Sequence, residues 1–370
     1  MRPGVVEAGC HIAPAKFRLG PPRQLTCTLL LTALLSMVNS FRSAFIPICC
    51  LALALPAKAD PVAELKAFSA FKDVNLEKLA SGTVQTARGA TMTFPRGLAV
   101  ESVYVVRKPL QKTVDFHQHW TPTSHPELKV LVHAVLPAKP TAADFQKIES
   151  VPQNNAVKAW TAATQKLGTG ATELQLSNAE AQAYSKAGSP AAFWSNVLAQ
   201  RSQAYVSGGP AKLPAYETRG EATRPAEEIS RLLKEAPKVR SQFSALIDSA
   251  PLTGGKGAGA PTLYWEMIDV EGQAALNLGA VYSKKTADGW QTLEGAYYAS
   301  SGYYVLLTLS QFWPVMIGGQ ECTLVWRGQM ISADSLSTLR GVERMGSGTA
   351  MMRETKRSIE VFVKDAAKAP

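Results

Sequence analysis

The chain has 370 residues, with 39 Lys and Arg against 29 Asp and Glu, a formal charge of +10, 46% hydrophobic and 18% charged residues, and five cysteines. That apolar content excludes an intrinsically disordered chain, and the length excludes a miniature domain that depends on disulfides for its stability. The charge hints at anionic partners and the cysteines at redox or metal chemistry, but where these residues lie removes both hints.

Two apolar runs, Leu25–Val38 (LTCTLLLTALLSMV) and Ala44–Pro56 (AFIPICCLALALP), precede any other pattern. Each is shorter than the roughly 20 residues a membrane-spanning helix needs. The second has the parts of a secretion signal: Arg42 ahead of it, an apolar stretch, and Ala57-Lys58-Ala59 as a small-residue cleavage site before Asp60. Met37 would open a signal of ordinary size. Residues 1–36 then read as an upstream extension, the alternative being a long leader or an uncleaved anchor built from both runs. Cleavage after Ala59 leaves 33 basic and 28 acidic residues, a net charge of +5, and removes Cys10, Cys27, Cys49 and Cys50. Cys322 is then alone, so no intrachain disulfide forms. The expectation is a periplasmic or secreted protein with no stable membrane span in its mature chain. Its scattered charges lack the clustered basic face of a nucleic-acid binder.

In the mature chain, Asp60-Pro61 predicts a capped helix start, with Leu65, Phe68, Leu76 and Leu79 at helical spacing and Gly82 as the stop. This N-terminal helical segment covers 60–97. Leu98–Arg107 reads as a strand rich in β-branched residues, a short amphipathic piece follows around Gln111–Trp120, and Leu128–Leu136 is a second strand. Residues 137–260 form a helical insertion of four or five helices. Its signals are Ser177 with Glu180, Ser189-Pro190, Pro225 and Pro237, and it ends in a glycine-rich connector. Gly254-Gly255-Lys256-Gly257 lacks the strand-to-helix setting of a phosphate-binding loop.

From Thr262 the period changes to two. Five strands, near 262–270, 274–285, 290–299, 303–313 and 322–331, are separated by turns at Glu271-Gly272, Asp288-Gly289, Ser301-Gly302 and Gly318-Gly319. A helix follows from Ser332 to about Lys364, with Met345, Met352, Ile359 and Phe362 on one face. Gly346 and Gly348 either mark a break in it or permit a close approach. The fold class is therefore α+β: an antiparallel meander of about seven strands packed on a long C-terminal helix, with an all-helical insertion.

The order strand, short helix, strand, inserted helices, five-strand meander and C-terminal helix resembles the helix-grip arrangement of START-like lipid-transfer domains. The resemblance covers 98–136 and 261–366, about two-fifths of the chain, and rests on element order alone. It implies an apolar cavity between sheet and helix for a lipid or other apolar small molecule. It carries over no functional residue, and the helical insertion departs from the family pattern. By alternation Leu263, Trp265 and Met267 share a face with Leu276, Leu278, Tyr297, Leu307, Leu309, Leu324, Trp326 and Met330, and this face is expected to meet the C-terminal helix. The ligand-cavity candidates are Trp265, Leu278, Tyr297, Leu307, Trp326 and Met352; a filled core is the alternative.

Glu266, Glu294 and Arg327 are charged residues inside strands, expected on the opposite face, exposed or ion-paired under the inserted helices. His117, His119, His125 and His133, with Asp115, match no familiar metal spacing. Neither a catalytic nucleophile nor a cofactor is indicated. The function expected is a non-enzymatic exported binding protein. The alternatives are a secreted enzyme using strand carboxylates or histidines, and an interaction module acting through the helical insertion.

Overall fold

A computed structural model describes residues 60–167, 173–253 and 260–370. The proposed leader (1–59) and the Gly254–Gly257 run lie outside these residues.

Five strands carry the meander: β4 (Thr262–Val270), β5 (Gln273–Lys285), β6 (Trp290–Ala299), β7 (Val305–Ile317) and β8 (Gln320–Ser332). Together with β1 (Gln85–Arg88), β2 (Gly97–Val106) and β3 (Val130–Leu136) they form one antiparallel sheet ordered β1-β2-β8-β7-β6-β5-β4-β3. The turn after β4 places Glu271 and Gly272 at φ 52° and 87°, the left-handed pair that a tight two-residue hairpin requires. β1 is a further strand beyond the sequence expectation. Its QTAR sequence is short and polar, as suits an edge, and it hides the alternation that marks inner strands.

The helices are α1 (Pro61–Phe68), α2 (Leu76–Ala80), α3 (Leu110–His119), α4 (Asn155–Gln165), α5 (Asn178–Ala183), α6 (Pro190–Gly208), α7 (Pro225–Glu235), α8 (Pro237–Gln242), α9 (Ser244–Ile247), α10 (Ser335–Thr338) and α11 (Gly341–Lys368). The single helix expected over 60–82 is two. The chain leaves helix at Ser69 so that the Ala70 amide donates to Glu101 at 2.7 Å and Phe71 enters the core, and Asn75 caps the second piece. The capping signals of the insertion hold: Ser177 and Glu180 bond reciprocally, and Pro190, Pro225 and Pro237 open their helices.

The C-terminal helix also differs. Ser332 ends β8, α10 is a single turn, and α11 starts at Gly341 and runs unbroken through Gly346 and Gly348. A Cβ on Gly348 would stand 2.6 Å from the Arg88 guanidinium, so this glycine serves close approach. Met345 is exposed rather than sharing the buried face, because α11 meets the sheet farther along, through Thr355, Ile359, Phe362 and Ala366.

The two faces of the sheet are covered in the reverse of the expected way. The tryptophan face carries the main core: Trp326 packs on Phe68 and Phe243, Trp265 on Phe145, and Tyr297 stacks on Tyr205 at 3.7 Å. These partners come from α1 and the insertion, not from α11. The widest apolar surface of the sheet takes the largest apolar layer, whereas α11 offers only a narrow stripe and packs on the other face, over β1 and β2.

Candidate functional site

The six cavity candidates divide accordingly. Trp265, Leu278, Tyr297, Leu307 and Trp326 are fully buried within the main core. The indole of Trp265 donates to the Asp144 carbonyl, and that of Trp326 to Glu101. Met352 is half-buried on α11, which packs against the opposite face, so the structure does not bring it to the other five. A cleft of about 220 Å³ beside α7, lined by Ile229, Leu233, Ile247 and Leu252 with Arg240 and Asp248, contains none of the candidates.

The face under α3, α10 and α11 has a different composition, and strand register lays it out in rows. One row is apolar: Tyr104, Val325, Phe312 and Trp290 on β2, β8, β7 and β6. The next is polar: Ser102, Arg327, Ser310 and Thr292. The third runs Val100, Gln329, Thr308 and Glu294, continuing to Val281 on β5. The fourth is apolar again: Leu98, Ile331, Leu306 and Ala296, then Gly279 and Tyr264. A bulge between Leu278 and Gly279 shifts the register beyond this row, and Asn277, Glu266 and His133 follow across β5, β4 and β3. A polar band therefore crosses the sheet between two apolar clusters. Val114 and Phe362 belong to the cluster on the first row, Leu336 to that on the fourth.

Of the charged candidates Arg327 and Glu294 lie on this band and Glu266 lies one row beyond the fourth, and each is half-buried. They lie on the face opposite the tryptophans, as alternation predicts. That face is covered by α3, α10 and α11 rather than by the inserted helices. The Tyr264 hydroxyl donates to Glu294 Oε1 at 2.7 Å, and Asn277 Nδ2 donates to Glu266 Oε1 at 3.0 Å. The His133 ring stacks on Tyr264 at 5.1 Å, with Nδ1 3.7 Å from Glu266 Oε2. From α11, Thr355 donates to Gln329 Oε1 at 2.6 Å, and Gln329 reaches Thr308 at 3.4 Å. Burial, with Glu294 and Glu266 close by, holds the Tyr264 phenol well above its ordinary value. It stays a neutral donor.

Five polar atoms of this face are buried without a hydrogen-bond partner among the described residues: Ser102 Oγ, Arg327 Nε, Asn277 Oδ1, Gln273 Nε2 and Trp290 Nε1. Native proteins leave few such atoms, and each costs about 1–3 kcal/mol unless water or a ligand meets it. Arg327 also has no ion-pair partner among the described residues.

The histidines do not converge. His117, on α3, packs edge-on against Phe312 and Phe362, and burial followed by the nearby Arg327 charge pushes its pKa down to about 4. Nδ1 of His119 lies 2.7 Å from the Asp115 carbonyl oxygen. His125 pairs with Asp365 at 2.6 Å, and the Trp120 indole donates to the same carboxylate. No group of three or more His, Cys, Asp or Glu able to hold a metal occurs among the described residues. Cys322 is buried and free in β8, where desolvation raises its thiol.

Sequence reasoning identified the charged trio but not Tyr264, Asn277 or Ser102, and it named His133 only among histidines that match no metal spacing. One signal was available: Gly279, a glycine in the middle of a strand, marks a close approach by another group. A Cβ there would stand 2.1 Å from Tyr264 Cζ.

No helix among the described residues is long and apolar enough to cross a membrane. No protein-family model, curated protein or solved structure matches this chain.

Proposed function

We propose that this chain is a non-enzymatic binding protein whose small-molecule ligand sits between the sheet and the C-terminal helix, on the polar band. The observation that carries the proposal is Ser102 Oγ beside Arg327 Nε, cross-strand neighbours that are both buried and unpartnered. An occupant with complementary donors and acceptors would relieve both. The START-like order of elements supports the same location. The composition of the band favours a ligand with polar groups over a purely apolar lipid, since Glu294 and Arg327 would be costly to cover with hydrocarbon. Export through a leader ending at Ala59 belongs to the same proposal, and Asp60 is then the first residue of the secreted protein.

Native mass spectrometry of protein purified without denaturation tests the binding. A retained small molecule, released on unfolding and missing from an R327M variant of unchanged circular dichroism, is the expected result. Protein that carries nothing and gains no thermal stability from a metabolite extract would overturn it.

A second reading, a hydrolase, draws on one arrangement: Glu266 and Glu294 on the rows either side of Tyr264, whose protonated phenol donates to Glu294. A substrate turned over by wild type and not by E294Q would favour it over simple binding.

A further inference from the structure

We infer that two copies of this chain pair edge to edge through β3, antiparallel about Ala134, so that one continuous sheet runs through the dimer. The inference is independent of the ligand proposed above and adds a partner, a second copy of this chain.

β3 closes one side of the sheet, and among the described residues no strand pairs with its outer side. The Asp269 amide donates to the Lys129 carbonyl at 2.9 Å, so Asp269 turns its backbone groups toward β3, and by alternation Met267, Trp265 and Leu263 do the same. Their partners Val132, Ala134 and Leu136 turn toward β4. His133 and Val135, set between them, therefore aim their N–H and C=O groups away from the sheet. No hydrogen bond meets these groups among the described residues, and Val135 is 67% exposed. The turn Pro122–Ser124 packs near β3 without a hydrogen bond to it.

Edge strands are ordinarily shielded from such pairing by a charge, a proline or a bulge. The β3 sequence VLVHAVL has no Asp, Glu, Lys or Arg between Lys129 and Lys139. Its irregularities stand at its ends, a bulge between Val130 and Val132 and Pro137 after Leu136. The stretch Val132–Leu136 between them is regular and uncharged.

A foreign strand could supply hydrogen bonds to this edge, but Val132–Leu136 is its own complement. A two-fold axis at Ala134 sets His133 opposite the second copy's Val135. These are the two residues whose backbone groups point outward, so each exchanges both of its bonds with the other. On the tryptophan face Val132 meets the second copy's Leu136, and on the opposite face the His133 ring covers the exposed Val135. An axis at His133 would instead set Val135 against the bulge at Leu131, where regular bonds fail. Beyond Pro137 the surface stays apolar, with a groove of about 350 Å³ lined by Ala138, Pro140, Gln203 and Val206. Antiparallel pairing brings the segment ahead of the second copy's β3, Leu128 included, to this side.

Sedimentation velocity of the full-length protein from about 10 μM to about 1 mM, the range in which small interfaces associate, should show a monomer–dimer equilibrium. V135K places a charge on a side chain already exposed in the monomer, so it should weaken that equilibrium at least about tenfold with unchanged circular dichroism. Hydrogen exchange reads the edge itself: the His133 and Val135 amides should slow several-fold at the higher concentration in wild type and not in V135K. The axis is tested by A134C. A non-hydrogen-bonded pair on a two-fold axis stands about 4.5 Å apart at Cα, within disulfide reach, whereas His133 lies diagonal to its own copy. Oxidation by copper phenanthroline should link two A134C chains above the wild-type level, which accounts for the native cysteines, and H133C should stay at that level. The exchange measurement on wild type decides the matter if a variant misfolds. A monomer at every concentration, a dimer that V135K leaves unaltered, or A134C linked no more than H133C overturns the inference. So does protection of the two amides by an added extended peptide but never by more protein, which would make the edge a site for a foreign strand.

Discussion

The Tyr264 ring lies flat across Gly279 of the neighbouring strand and delivers its hydroxyl to Glu294 on the strand beyond, at 2.7 Å. The contact spans two strand spacings, and only the missing side chain at Gly279 leaves room for it. His133 stacks on the same ring. A phenol is thus held between an imidazole and a carboxylate at the edge of the polar band.

Substitution of Gly279 tests that relationship. In G279A the new methyl would overlap Tyr264 Cζ, Cε1 and the hydroxyl oxygen, each within 2.4 Å, so the ring must leave or the strand must shift. Overpacking of this kind costs about 1–3 kcal/mol. Y264F, which keeps the ring and loses only the hydrogen bond, should cost about 1–2 kcal/mol. Urea unfolding followed by tryptophan fluorescence reads both. A G279A protein as stable as wild type would mean that the ring is not seated on β5.

His117 predicts how stability responds to acid. Its folded-state pKa is about 4 against an ordinary 6.5, lowered first by burial, then by the Arg327 charge and opposed by Glu294. Between those values the unfolded chain takes up the proton and the folded chain does not. The contribution is complete above pH 6.5 and is lost as pH falls toward 4. Moving from pH 7 to pH 5 should cost no more than about 2 kcal/mol through this residue. H117L, apolar against Phe312 and Phe362, should abolish that part of the acid sensitivity. An imidazole resonance titrating near 6.5 in the folded protein would contradict the prediction.

Much of the sheet was legible because β4 to β8 alternate strictly and are punctuated by glycine turns. The layers above the sheet were not. Alternation reports that Trp265, Leu278 and Trp326 share a face, but it carries no information on whether Phe68 and Phe243 or Phe362 will cover that face. Charge inside a strand picked out Glu266, Glu294 and Arg327. The rest of this face depends on pairings between segments far apart in sequence, Ser102 with Arg327 and His133 with Glu266, and on a bulge at Leu278. None of these leaves a local mark. Gly346 and Gly348 resembled helix breakers because the propensity cost of glycine is local, while the reason to keep Gly348 is a distant arginine.

Glu101 predicts the opposite response to acid. It is buried on β2, accepting from the Ala70 amide and the Trp326 indole, and burial raises its pKa above the ordinary 4.5 despite those bonds. The unfolded chain therefore releases the proton first as pH rises. The stability associated with the neutral acid is complete below 4.5 and is lost as pH climbs through the folded value. E101Q keeps an acceptor for both donors and has no charge to bury, so it should match or exceed wild type at pH 7. It should also respond to acidification with a steeper loss, because the compensating gain from Glu101 is gone. E101A, which strands two buried donors, should cost several kcal/mol. An E101Q protein clearly less stable than wild type at pH 7 would show that the charged form is the one the core prefers.

Two of the inserted helices, α5 and α6, are tied together by a buried ion pair whose geometry predicts a non-additive pair of mutations. Arg201 on α6 is fully buried and donates from Nε and Nη2 to the two oxygens of Glu180 at 2.8 and 2.6 Å, and from Nη1 to the Pro214 carbonyl at 3.2 Å. Its guanidinium also lies 4.3 Å from the centroid of the Tyr298 ring on β6 and 5.4 Å from that of Tyr216. Glu180 is committed elsewhere too, since it accepts from the Ser177 amide in the capping box that starts α5. Losing either charge leaves the other buried and unpaired, so R201M and E180L should each cost about 3–5 kcal/mol. The double variant removes both desolvation penalties and fills the site with apolar volume, and it should recover most of that loss. R201K should behave more like the methionine variant than like wild type, because an ammonium cannot reproduce the two-point bond or stack on Tyr298. A double-mutant cycle in urea measures the coupling. Additive costs, with the double variant near 6–10 kcal/mol below wild type or unfolded, would mean that the pair contributes through independent contacts rather than as one neutralised unit.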